Sequence, residues 1–184
     1  MRDEILIDIA KKAIAEELTG KKLIDREALL REYPELAEPA ALFVTINEHS
    51  SLRGCIGSLI AHRSLLDDLV HNAKAAAFSD PRFPPLRRDE LDDIEIEISL
   101  LSSPEELNYT DRGELERVIR PGVDGVILEL GGRQATYLPS VWEQLPDFGL
   151  FFSSLCQKAG LPSNCVDMHP RIYRYQARKI KEKR

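Results

Sequence analysis

Arg53, Gly54, Cys55, Ile56 and Gly57 are the residues whose types and spacing most directly suggest chemistry. On an extended strand, alternation puts Leu52, Gly54 and Ile56 on one face and Arg53, Cys55 and Gly57 on the other, so a guanidinium and a thiol share a side. Two strand rises separate their α-carbons by ~7 Å, which lets the guanidinium fold back to within ~5 Å of the sulfur. At that distance its attraction for a thiolate is about 0.8 kcal/mol in water-like surroundings and about 3 kcal/mol at an effective dielectric near 20. Arg53 and Cys55 are therefore the candidate catalytic residues, the thiol as nucleophile and the arginine as its activator or the holder of an anion. Gly54 and Gly57 carry no side chain and admit a ligand, or a neighbouring strand, close to the backbone. A structural reading stands beside this one: cysteine packs as a small hydrophobe, strand glycines mark bulges, and arginine caps the end of a barrel.

Other groups are candidates for the same site. His49 and His62 bracket the five residues, and either would serve as general base if it came within ~3 Å of the thiol. His71, on a helix, and His169, before a proline, read as surface and structural residues. Glu95 and Glu97 alternate with Ile94, Ile96 and Ile98, so they share a strand's polar face and suit acid-base work or a divalent cation, or simply a solvated surface. Asp80 and Arg82 lie in Asp80-Pro81-Arg82-Phe83-Pro84-Pro85, a loop stiffened by proline, where they pair with each other, cap a helix or meet a ligand.

Several chemistries find no support. Gly-Cys-Ile-Gly has neither the GxGxxG nor the GxxxxGK[ST] spacing of a phosphate cradle. Three cysteines, Cys55, Cys156 and Cys165, without a CxxC pair argue against a zinc site and against a disulfide framework, and point to the reducing cytosol. The residues specify no metal and no cofactor. With 25 Lys plus Arg against 31 Asp plus Glu, the 184-residue chain carries a formal charge of −6. That acidity disfavours nucleic acid, although Arg171 to Arg184 is a basic stretch interleaved with Tyr173 and Tyr175 and keeps a nucleic-acid reading as an alternative. No apolar run approaches the ~20 residues of a membrane span, and acids stand where a signal peptide would be apolar, so a soluble cytoplasmic protein is expected.

The elements that must position these groups follow from periodicity. Ile5, Leu6, Ile9, Ala10, Ala13, Ile14 and Leu18 form a helical stripe ended by Gly20, and Asp25 caps a short second helix stopped at Pro34, a lead-in over residues 1–36. Ala41–Glu48 and Leu52–Ser58 read as a hairpin, Ser64 opens a helix with stripe Leu65, Leu66, Leu69, Val70, Ala73, Ala76 and Ala77, and Ile94–Leu100 alternates as a strand. Gly125–Leu130 and Arg133–Leu138 flank Gly131-Gly132 as a second hairpin. Helical segments at Pro139–Leu145 and Phe148–Ala159 and a strand at Ile172–Ala177 complete it. The order predicts an α+β fold, mostly antiparallel, with two strand-strand-helix-strand repeats over 40–103 and 122–178 and a seam in Pro104–Asp124.

The combination of LRGCIGSL, AAAFSDPRFPPL, ELDDIEIEISLLS and GVDGVILELGGRQATYLPSVWEQLP resembles the AMMECR family, named for the chromosomal region linked to Alport syndrome, midface hypoplasia and elliptocytosis. Its prokaryotic members are called AmmeMemoRadiSam system protein A. The likeness runs from about Ile5 to Tyr175 and implies a barrel-like sheet with flanking helices, often divided into a larger and a smaller subdomain. It implies no settled activity. It does imply a Memo-like protein and a radical SAM enzyme as partners, and a site centred on Arg53–Gly57 with Asp80–Pro84 as second block. After Pro162 the chain departs from the family, carrying Asn164-Cys165-Val166 where relatives commonly have an Asp-Ala-Trp-like stretch. The functional expectation is a cytosolic accessory or ligand-binding module; the rival is a Cys55-dependent enzyme.

Overall fold

The structure is a computed structural model and describes residues 3–182. Two compact units are formed, one from residues up to Leu101 together with Arg178 onward, the other from Ser102–Ala177.

The first unit opens with α1, Asp3–Thr19, whose Leu6, Ile9, Ala10, Ala13 and Ile14 are buried at helical spacing. Gly20, at φ 68, ends it in the left-handed conformation that glycine adopts without penalty. Asp25 caps α2, Arg26–Glu32, by accepting from the Ala28 amide. Strands β1, Pro39–Glu48, and β2, Ser51–Gly57, form the expected hairpin. Its turn is His49-Ser50, with φ of 50 and 66, the two left-handed residues that match a tight turn to the strands' twist. A short β3, Arg63–Ser64, leads into α3, Leu65–Phe78, capped by the Ser64 hydroxyl. Strand β4, Ile94–Leu101, pairs antiparallel with β1. The sheet order is β2-β1-β4-β9, where β9 is Ala177–Lys181, and β3 pairs the start of β1. Leu42, Val44, Ile46, Ile96 and Ile98 face α1 and α3 in one apolar core.

Polar residues also enter that core. Asp68 and Asn72 sit on the buried stripe of α3 and are essentially inaccessible. Asp68 accepts from the Leu42 amide, Ser58 Oγ and Arg63 Nη1, while Asn72 donates to Leu42 O and Ser58 Oγ. The network fastens α3 to the ends of β1 and β2, since each of these buried groups must find its partner inside the protein.

The second unit repeats the order. Strands β6, Gly125–Leu130, and β7, Arg133–Tyr137, form a hairpin turned at Gly131-Gly132. Helix α5, Phe148–Lys158, follows, and β8, Arg171–Tyr175, returns to pair with β6 as β4 pairs with β1. With β5, Glu105–Glu106, at the margin, the order is β5-β8-β6-β7. Its core is aromatic: Trp142 stacks on Phe151 with centroids 3.6 Å apart, and the indole donates to Asp124 O.

The fold is α+β with antiparallel sheets, and these form two open sheets rather than a closed barrel. Three local expectations are corrected. Cys156 and Cys165 are joined in a disulfide; they lie nine residues apart on α5 and the following 3-10 turn, a spacing with no CxxC signature. The stretch read as a seam, Pro104–Asp124, lies within the second unit, Ser102–Ala177, and holds a helix, α4, Arg112–Val118, capped by Asp111 and burying only Leu115, too short for a periodic stripe. The basic stretch holds the expected strand as β8 but also a second, unexpected one: it divides near Gln176 into β8 and β9, and β9 joins the first unit's sheet. Of its residues, Lys183 and Arg184 lie outside the described ones.

Candidate functional site

Arg53–Gly57 occupies β2, the outermost strand of its sheet. The register of the hairpin slips at one point: Ile46 faces Gly54 and Asn47 faces Leu52, so Arg53 is the extra residue of a bulge. Its guanidinium goes to Glu90, donating from Nε to Oε1 at 2.8 Å and from Nη2 to Oε2 at 3.1 Å. It also donates to Pro84 O and Pro85 O. The pair is mostly enclosed, and the Arg53 hydrogen bonds hold the Glu90 carboxyl below the usual glutamate range. The expected activation of the thiol by Arg53 is thus replaced by a bidentate ion pair that ties β2 to the turn at Arg88–Glu90.

Asp80 makes the second tie. Its side chain is nearly inaccessible and accepts from the Cys55 amide at 2.9 Å, from the Arg82 amide, and from Arg82 Nε and Nη2. Bonding to Arg82 holds the carboxyl well below the usual carboxylate range, against the opposing effect of burial. Arg82 also donates to Cys55 O. The expected Asp80–Arg82 pairing is present, and its work is on the backbone of β2.

The glycines are filled spaces rather than openings. A methyl group at Gly54 would lie 2.1 Å from Ala76 O of α3, and one at Gly57 would lie 2.2 Å from the Phe43 ring. Close packing of a helix and of an aromatic ring, not of a ligand, accounts for both residues.

What remains open to chemistry is a row of side chains on the sheet. Thr45 is opposite Cys55 on one side and opposite Glu97 on the other. Because the Cys55 N–H points out of the sheet to Asp80, the Thr45/Cys55 pair is of the closer, non-hydrogen-bonded kind. Thr45 Oγ1 and Cys55 Sγ are 3.3 Å apart. Glu97 is flanked by Lys179 Nζ at 3.4 Å and Lys181 Nζ at 3.3 Å. Thiol, hydroxyl, carboxylate and two ammonium groups therefore follow one another across four strands, with Cys55 and Glu97 ~10 Å apart, two strand spacings. Cys55 is half-buried and Glu97 is partly accessible. Glu95 lies one pleat along the same strand, opposite Asn47.

The histidines stand elsewhere. His49 is the exposed tip of the β1–β2 turn; His62 is exposed, its ring bonded to Ile60 O beside the groove along Arg63, Asp67 and His71. The basic residues of β8 and β9 face carboxylates: Arg171 meets Glu106, Arg174 Glu105, Arg178 Asp3, and both lysines Glu97. Among the described residues no cluster of three or more His, Cys, Asp or Glu could hold a metal ion, and no helix is long and apolar enough to cross a membrane.

Thr45 and Glu90 were not singled out from sequence. Counting residues back across the hairpin would have placed Thr45 near Cys55, but only the bulge fixes the partner. Glu90 had no local signal, being 37 residues from Arg53.

The AMMECR1 family model matches residues 7–180. A protein of Methanothermobacter thermautotrophicus is 40% identical over 181 residues, covering 96% of this chain and 93% of its own length. One of Saccharolobus islandicus is 42% identical over 188 residues, covering 97% and 81%. The crystal structure of the uncharacterised protein PH0010 from Pyrococcus horikoshii superposes with a TM-score of 0.81 at 34% identity, covering 96% of this chain and 89% of that one.

Proposed function

The chain belongs to the AMMECR1 family, and from that premise we propose that it is a ligand-binding accessory module of the cytosol, working beside a Memo-like protein and a radical SAM enzyme. The observation that carries this reading is the row Cys55–Thr45–Glu97: it offers donors and acceptors at fixed spacing on a rigid sheet, while the two arginines of the motifs are neutralised by Glu90 and Asp80. Such a row recognises a small or extended polar ligand, and strands hold recognition groups more exactly than loops.

The test measures binding of purified Memo-like and radical SAM proteins to the parent chain and to Thr45→Val and Glu97→Gln. The expected result is weakening by roughly tenfold for each variant, as for a lost charge-assisted hydrogen bond, with thermal stability retained. Unchanged affinity in both variants would remove the row from the reading.

A second reading, Cys55 as a nucleophilic or redox thiol, draws on the Thr45 hydroxyl at 3.3 Å from the sulfur, which fixes the direction in which the thiol points. Rapid alkylation of native Cys55 at neutral pH, slowed in Thr45→Val, supports it. Alkylation only on unfolding defeats it.

A further inference from the structure

We propose that the loop Asp80–Leu86 is a built-in edge cover that keeps β2 from pairing with β2 of a second copy of this chain. The proposal stands apart from the ligand reading, because it concerns the rim of the sheet rather than its face.

An outermost strand presents unpaired amides and carbonyls, and in antiparallel orientation such a rim is complementary to itself about a two-fold axis. Strand β2 has seven residues, an ordinary length for stable pairing, and Leu52 on it is 43% exposed. The bulge at Arg53 interrupts only the first part of the strand, and from Gly54 to Gly57 the strand runs in regular register with β1. The discouragement to a second strand comes from the loop. Asp80 Oδ2 accepts from Cys55 N and Arg82 Nη2 donates to Cys55 O at 3.4 Å, so two side chains supply the acceptor and the donor that one residue of a neighbouring strand would offer.

The loop cannot itself extend the sheet. Pro81, Pro84 and Pro85 have no N–H to give, so a further strand finds no ladder of donors on its outer side. It is also held in place. Arg53 donates to Pro84 O, and the amides of Phe83 and Leu86 donate to Asp80 O and Ala77 O. The Asp80-Pro-Arg82-Phe-Pro-Pro order thus combines two rim-filling side chains with three residues unable to pair.

The experiment compares self-association of the parent chain, Arg82→Ala and the double variant Asp80→Ala/Arg82→Ala by sedimentation equilibrium up to millimolar concentration, with amide hydrogen exchange on the same samples. The double variant is expected to associate roughly tenfold or more tightly than the parent, as an uncovered strand rim predicts. Arg82→Ala should change less, because Asp80 still covers the Cys55 amide. On association the amides of Cys55 and Gly57 should become protected. Association with no added protection on β2, or no change in association in either variant, overturns the proposal. Should the double variant fail to fold, Arg82→Ala decides alone, its side chain being 56% exposed: parent-like association then overturns the proposal.

Discussion

Replacing Gly54 with alanine isolates the closest approach in the first unit. The new methyl carbon would stand 2.1 Å from Ala76 O, about 1.3 Å inside ordinary contact. The obstructing atom is helix backbone and cannot rotate away, so β2 and α3 must separate. Separation is resisted near the N-terminal end of α3, where Asp68 and Asn72 bond Leu42 and Ser58, and along the stripe Ala73, Ala76 and Ala77. Overpacking of this kind costs up to about 3 kcal/mol. Loss of glycine's freedom in the unfolded chain returns about 0.4–1 kcal/mol. At that upper value the net destabilisation is about 2–2.6 kcal/mol, read from urea unfolding followed by circular dichroism. Gly57→Ala meets the Phe43 ring instead, a half-buried side chain that can turn, and is expected to lose ~1 kcal/mol. A Gly54→Ala protein as stable as the parent, or less affected than Gly57→Ala, would refute the view that helix packing requires this glycine.

Four further outcomes are expected. Glu90→Ala should lower stability by ~1.5–3 kcal/mol in urea melts, because it strips a mostly enclosed guanidinium of its bidentate partner. Asp80 has a depressed folded-state pKa, so its contribution is present above the ordinary aspartate value near 3.9 and fades as pH falls below it; Asp80→Asn should flatten that acid limb of the stability profile. Chain refolded with a reductant should lose ~2.6 kcal/mol in thermal melts, the loop-closure value for cysteines nine residues apart. On immobilised nucleic acid, the chain should show no salt-dependent retention, because Arg171, Arg174, Arg178, Lys179 and Lys181 already face carboxylates.

The elements with strong periodic or capping signals were legible in the sequence. Ser64 announced α3, Asp25 announced α2, and Gly131-Gly132 announced the second hairpin. Strand parity put Cys55 and Glu97 on outward faces, but it could not show which faces lie side by side, because that depends on register between distant strands. The role of Arg53 failed for the same reason: alternation gives a direction, whereas a guanidinium reaches several ångströms and is captured by whichever carboxylate the fold delivers, here Glu90. Asp68 and Asn72 were readable as an anomaly, two polar residues four apart in an apolar stripe, and such an anomaly means a buried network. The disulfide escaped because its cysteines meet through the path from α5 to the 3-10 turn rather than through a recognised spacing.

Strand β9 has a consequence for the order of synthesis. Glu182 bonds both backbone groups of Ile96 and pairs with Lys11, and Arg178 pairs with Asp3, the two ion pairs joining residues 171 or more positions apart. On the ribosome the first unit waits, with the outer margin of β4 bare, until the whole second unit has emerged and residues 178–182 arrive to cover it. A nascent chain stopped at Gln176 would carry every residue of the proposed row except its two lysines, yet lack the last strand that closes the unit around them.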